Sequence, residues 1–145
     1  MTSSPIAPPS PTLPTHDCSS SYPMTPQAAR LARQHTRRRL TSWQWQGDID
    51  DAVLVVSELV ANAARYGKVA GHHVGLRLAL TEDGGLLVDV SDPVLEFPGF
   101  GTGVWAGGAP GESGRGLLVV RRLALHVGWF LRAEQGKTVR ARLRG

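Results

Sequence analysis

The chain has 145 residues, 41% of them hydrophobic, and a net charge of +4. That is enough apolar material for one packed domain, while the longest apolar run, Ala52 to Val56, is far below the about 20 residues that span a bilayer. The basic excess gathers in Arg37-Arg38-Arg39 and in Arg140, Arg142 and Arg144 without interleaved aromatics, which fits a solvated helix end and an exposed strand face better than a nucleic-acid surface.

Residues 1–23 are rich in Pro, Ser and Thr and are expected to form a disordered tail, with a folded domain over 24–145. The tail lacks the basic and apolar regions of a secretory signal. Its Cys18, the single cysteine, has no internal partner, so a cytoplasmic location is expected. Thr25-Pro26-Gln27 reads as a helix start, with Thr as the cap and Pro at the first helical position. That helix runs to about Leu40, with Ala28, Leu31, Ala32 and Leu40 as its apolar stripe. Ser42 to Gln46, carrying Trp43 and Trp45, is a connection. Asp48 or Asp50 caps a second helix that ends near Tyr66-Gly67.

From about His73 to Thr81, Val74, Leu76, Leu78 and Leu80 alternate with smaller or polar residues, the pattern of a half-buried strand. Asp83-Gly84-Gly85 turns the chain, and Leu86 to Ser91 returns with Leu86, Val88 and Val90 inward. Asp92-Pro93 ends that strand. A long glycine-rich segment, Val94 to Ser113, leads to a helix from Gly116 to about Ala124. Two strands, Val127–Ala133 and Lys137–Leu143, close the chain around Glu134-Gln135-Gly136. Helices and antiparallel hairpins in this order predict an α+β sandwich with the helices on one face of a mostly antiparallel sheet.

Three stretches carry candidate chemistry. In Ser57-Glu58-Leu59-Val60-Ala61-Asn62-Ala63, a carboxylate and a carboxamide leave one helix face a turn apart. Magnesium takes oxygen ligands such as an Asn carbonyl, and a Glu one turn earlier could deprotonate a reacting hydroxyl. The same spacing also fits ordinary polar positions on a partly exposed helix face. Asp92 at a strand end could accept from an adenine amino group, or could simply be a turn residue. Gly111-Glu112-Ser113-Gly114-Arg115-Gly116-Leu117 opens an apolar helix, where backbone N–H groups and the helix dipole suit phosphate. A flexible loop ending in a cap would look the same. Gly136-Lys137-Thr138 echoes a P-loop end but lies between strands and lacks the leading glycine, which Leu131 replaces. Gly101-Thr102-Gly103-Val104-Trp105-Ala106 mimics a dinucleotide fingerprint without a βαβ unit around it. The five histidines form no cluster at metal-ligand spacing.

Taken in order, Glu58-x-x-x-Asn62, Asp92 after a strand, Gly114-Arg115-Gly116-Leu117 and Gly136-Lys137-Thr138-Val139 resemble the histidine-kinase-like ATPase superfamily, the GHKL or Bergerat-fold ATP-binding domains. The likeness is greatest to stand-alone bacterial anti-sigma-factor serine/threonine kinases and their actinobacterial relatives, and it covers about Pro26 to Leu143. The resemblance implies ATP and Mg2+ as cofactors. It makes Glu58 the catalytic base and Asn62 the magnesium ligand. Asp92 would hold the adenine amino group, with Thr138 in the same subsite. Gly114, Arg115, Gly116 and Leu117 would line the triphosphate, and Val94 to Ser113 would form the ATP lid.

The implied partners are an antagonist (anti-anti-sigma) protein carrying the acceptor Ser or Thr, and a sigma factor. A homodimer is compatible; direct nucleic-acid or membrane binding is not implied. One departure stands out. Asp92-Pro93-Val94-Leu95-Glu96 lacks the glycines that follow this Asp in many superfamily members. The alternative reading is therefore a non-catalytic ATP-binding module that sequesters its partner stoichiometrically.

Overall fold

A computed structural model describes residues 16–66, 71–94, 112–132 and 136–145. In chain order the elements are β1 (His16–Pro23), α1 (Gln27–Ser42), α2 (Ile49–Tyr66), β2 (His73–Leu80), β3 (Leu86–Asp92), α3 (Glu112–Leu123), β4 (His126–Leu131) and β5 (Lys137–Leu143). The strands form one antiparallel sheet in the order β1-β2-β3-β5-β4. The expected α+β sandwich is present, and its alternation is as read from the sequence. Val74, Leu76, Leu78 and Leu80 of β2 and Leu86, Val88 and Val90 of β3 are buried. They meet Val55, Val56, Leu59 and Val60 of α2 in one apolar cluster, joined by Val139, Ala141 and Leu143 of β5.

The part of the expected tail that is described, His16–Pro23, is a strand. His16–Pro23 pairs with β2 along its whole length, from His16 opposite Leu80 to Pro23 opposite His73. This strand is nearly silent in sequence because most of its inward side chains are polar. Only Tyr22 is buried. Its hydroxyl and that of Ser20 lie 3.0 and 3.2 Å from His35 Nδ1 on α1, and Cys18 Sγ lies 3.7 Å from His35 Nε2. Hydrogen bonding across the strand–helix contact replaces the apolar alternation that marks β2 and β3. Residues 1–15 of the expected tail lie outside the described residues, as do Gly67 at the end of α2 and Glu134-Gln135 before β5.

The helix starts show which polar groups act as caps. Asp48 caps α2: its Oδ1 accepts from the Asp51 N–H at 3.0 Å. The first turn leading into α1 closes through backbone, with the Ala28 N–H donating to the Thr25 carbonyl at 3.0 Å. The buried face of α1 is Ala28, Ala29, Ala32, Thr36 and Leu40; Leu31, expected in that stripe, is 40% exposed.

Trp45 fastens the α1–α2 connection to the sheet. Its indole N–H donates to the Gly84 carbonyl at 2.9 Å, its ring is buried, and a side chain at Gly47 would overlap that ring. Trp45→Ala is expected to cost about 3–5 kcal/mol of stability by emptying this site, read as a lower urea midpoint with an unchanged slope.

On the sheet face away from the core, charges alternate across the strands. Arg77 on β2 holds Asp17 on β1 at 2.7 Å and Asp89 on β3 at 3.5 Å. Arg140 on β5 grips the same Asp89 through two bonds of 2.7 and 2.8 Å and lies over the Phe130 ring of β4. Arg140 is thus committed to a carboxylate, as expected of a structural strand face and not of a phosphate-binding one.

Candidate functional site

Glu58 and Asn62 project from α2 as their spacing predicts, both half-buried. Burial raises the proton affinity of the Glu58 carboxylate above the usual range, and the positive charge of Arg33 on α1 partly offsets the rise. Arg33 is itself fixed by a 2.9 Å bond from Nη1 to Ser57 Oγ, the residue beside Glu58. No sequence signal marks Arg33, because it lies on another helix and only the packing of α1 on α2 brings it here.

The helix α3 supplies the other wall. It begins at Glu112, earlier than expected, so Gly114 and Gly116 sit within its first turns and not in a turn before it. Glycine weakens a helix without forbidding it, and here the helix extends back through both. At Gly116 an added Cβ would overlap Glu58 Oε1. The missing side chain is therefore what lets the carboxylate lie against the α3 backbone. Leu117, next in sequence, is buried at 3% exposure. The side chain of Arg115 and the expected lid between residues 95 and 111 lie outside the described residues.

Asp92 ends β3, opposite Lys137 at the start of β5. Both side chains are buried, and Lys137 Nζ lies 3.0 Å from each Asp92 oxygen. The same ammonium donates to the Val94 carbonyl at 3.1 Å, while the Val94 N–H donates to Asp92 Oδ1 at 2.8 Å. Gly136 makes this approach possible. It has φ +84, and a Cβ there would overlap the Asp92 carbonyl oxygen and lie 2.7 Å from Pro93 Cα.

Thr138, expected beside Asp92, is one residue along β5 and bonds Ser91 Oγ at 2.7 Å. Successive strand side chains point to opposite faces, so Ser91 and Thr138 share the face opposite Asp92 and Lys137. The side chain brought to Asp92 is Lys137, which the sequence presented within Gly136-Lys137-Thr138-Val139 without a role of its own.

The arrangement suits magnesium and a nucleotide. Asn62 offers a neutral oxygen ligand one turn from a carboxylate, and Gly116 lets that carboxylate lie against the α3 backbone. The described residues hold no group of three or more His, Cys, Asp or Glu able to bind a metal unaided, so a magnesium here would draw most of its ligands from phosphate and water. No described helix is long and apolar enough to cross a membrane.

Comparison with known proteins gives matches to the fold. The chain superposes on the structure of the RsbU and RsbW domains of Rv1364c from Mycobacterium tuberculosis with a TM-score of 0.64 and 24% identity, over 90% of this chain and 33% of that one. It therefore spans about a third of the length of that matched chain. A second match is the SiaB–SiaC complex from Pseudomonas aeruginosa, with a TM-score of 0.62 and 17% identity, covering 87% of this chain and 88% of that one. At these identities the likeness is one of fold. Among curated protein sequences there is no significant match. The profile of the Histidine kinase-like ATPase domain matches residues 22–143, nearly the whole described fold, and the chain belongs to that family.

Proposed function

We propose that this protein binds ATP with magnesium and transfers the terminal phosphoryl group to a Ser or Thr of a partner protein, as an anti-sigma-type kinase. The observation that carries the reading is the Glu58 carboxylate, raised in proton affinity by burial and lying against Gly116 of α3. A base works best when its proton affinity approaches the working pH, and a surface carboxylate is too weak. Glu58 accepts the proton of the attacking hydroxyl, and Arg33, tied to Ser57, keeps a positive charge beside it. Asn62 would hold the magnesium through its carbonyl oxygen. The first N–H groups of α3, which have no partner within the helix, would receive phosphate oxygens. Bound magnesium supplies charge neutralisation on the phosphates; the chain supplies position and the base.

The partner is a protein with an accessible acceptor hydroxyl, an antagonist of the anti-anti-sigma kind, with a sigma factor as the second protein regulated. That SiaB, of similar fold, is seen in a complex with SiaC supports a protein partner. The segment Asp92-Pro93-Val94-Leu95-Glu96, without glycine, favours the second reading, a module that uses ATP only to set its shape and sequesters its partner.

The test is ATP binding by calorimetry with and without magnesium, on wild type and Asn62→Ala. Magnesium-dependent binding that falls at least about tenfold in the variant is expected, since one well-placed ligand to a charged group is worth roughly 1.5–3 kcal/mol. Transfer to an identified partner then separates kinase from sequestering module. Gly116→Ala provides a further check on the base. Its methyl meets only the end of a flexible side chain, and alanine is the better helix former by about 0.5–1 kcal/mol. The variant is expected to melt no lower than wild type while transferring phosphate at least about tenfold more slowly, because Glu58 is pushed from its place.

A further inference from the structure

Lys137 has no role in any expectation drawn from the sequence, yet it forms a buried ion pair with Asp92 in which each side chain is only 3% exposed. The hydrogen bonding can be counted. An ammonium has three donors, and Lys137 directs them at Asp92 Oδ1, Asp92 Oδ2 and the Val94 carbonyl, at 3.0, 3.0 and 3.1 Å. A carboxylate has about four lone-pair sites. Oδ1 receives Lys137 and the Val94 N–H, and Oδ2 receives Lys137. One acceptor site remains on Oδ2, and the lysine has no further donor to offer.

We propose that Lys137 determines the base specificity of the nucleotide site, by clamping Asp92 as a fixed acceptor that takes an amino group and turns away a carbonyl. The inference rests on the reading of Asp92 as the base-recognising group of an ATP site. Adenine presents an amino donor at its six position, where guanine presents a carbonyl acceptor. Against the clamped carboxylate the amino group gains a charge-assisted bond. The guanine carbonyl finds no free donor on the Asp92–Lys137 pair and faces a carboxylate oxygen, and a site built to bond a donor rejects the analogue that lacks it. Without Lys137 the Asp92 carboxylate keeps only the Val94 N–H of its three bonds, and its side chain is free to turn. An acceptor that is not held toward the base discriminates less between an amino group and a carbonyl. Selectivity thus rests on Lys137 holding the Asp92 acceptor in place.

The experiment measures ATP and GTP affinity, each with magnesium, on the full chain by calorimetry, alongside thermal melting. Wild type is expected to prefer ATP, and K137M to lose at least about tenfold of the ATP-to-GTP ratio. Removing one partner of a buried pair is destabilising, so D92N/K137M, which leaves no buried charge unpaired, is measured as well. An amide offers both a donor and an acceptor, and the same loss of selectivity is expected. If the variants melt lower but keep the wild-type ratio, Lys137 is only structural and the proposal falls. A wild type that binds ATP and GTP equally also overturns it, leaving the nucleotide site itself intact. A wild type that binds neither nucleotide overturns both readings together.

Discussion

Glu58→Gln is expected to abolish phosphoryl transfer while leaving ATP binding in place, and to make the protein more stable at neutral pH. The amide keeps the shape of the side chain but cannot accept a proton, and loss of a general base typically costs about 10²–10⁴ in rate. The stability gain follows from the direction in which burial moves this carboxyl. Its proton affinity is higher in the folded chain than in the unfolded one, so the folded state resists the charged form. The contribution of Glu58 to stability is therefore fully present below the ordinary carboxylate range and is lost as pH rises through the higher folded value. Glutamine carries no such penalty.

Thermal melts of the two proteins should differ at pH 7.5, with the Gln variant higher, and converge in acid. Because Glu58 is only half-buried, the size of the gap is left to the measurement and its sign is the prediction. A Gln variant that transfers phosphate at the wild-type rate would remove Glu58 from the role of base. One that melts lower at neutral pH would show that the Arg33 attraction outweighs burial.

Gly136→Ala is expected to damage both the fold and the site. Its φ of +84 is a conformation that costs a residue with a side chain about 1–3 kcal/mol. The new methyl also meets backbone of Asp92 and Pro93, atoms that cannot swing aside. Relief requires β5 to move off β3 at the point where Lys137 meets Asp92, so a lower melting temperature should be accompanied by weaker ATP binding. Gly84→Ala is the matched control. Gly84 has a similar φ of +88, but nothing lies within 4 Å of an added Cβ. It should show the conformational cost alone and bind ATP normally. Equal behaviour of the two variants would mean that the close approach at Gly136 has no part in shaping the site.

Glu58 and Asn62 were legible because a helix repeats in a turn of 3.6 residues, and two polar residues at that spacing in an apolar run declare a shared face. The inward sets of β2 and β3 were legible for the matching reason in strands. Arg33 was not, since nothing in α1 records which part of α2 it packs against. The pairing of Lys137 with Asp92 was not legible either. Which residues of two strands face each other depends on their register, and a shift of one residue reverses every side chain.

By itself, then, the sequence determined the helices, the alternating strands, the α+β class and the order of motifs that marks the ATPase family, because each is written in local periodicity or in short runs of residues. Only the tertiary structure decided that His16–Pro23 joins the sheet, that Gly116 makes room for Glu58, and that Lys137 is clamped to Asp92. Each of these is a contact between segments far apart in the chain. Its energy lies in pairing, burial and steric fit across that separation, and neither segment carries a record of the other.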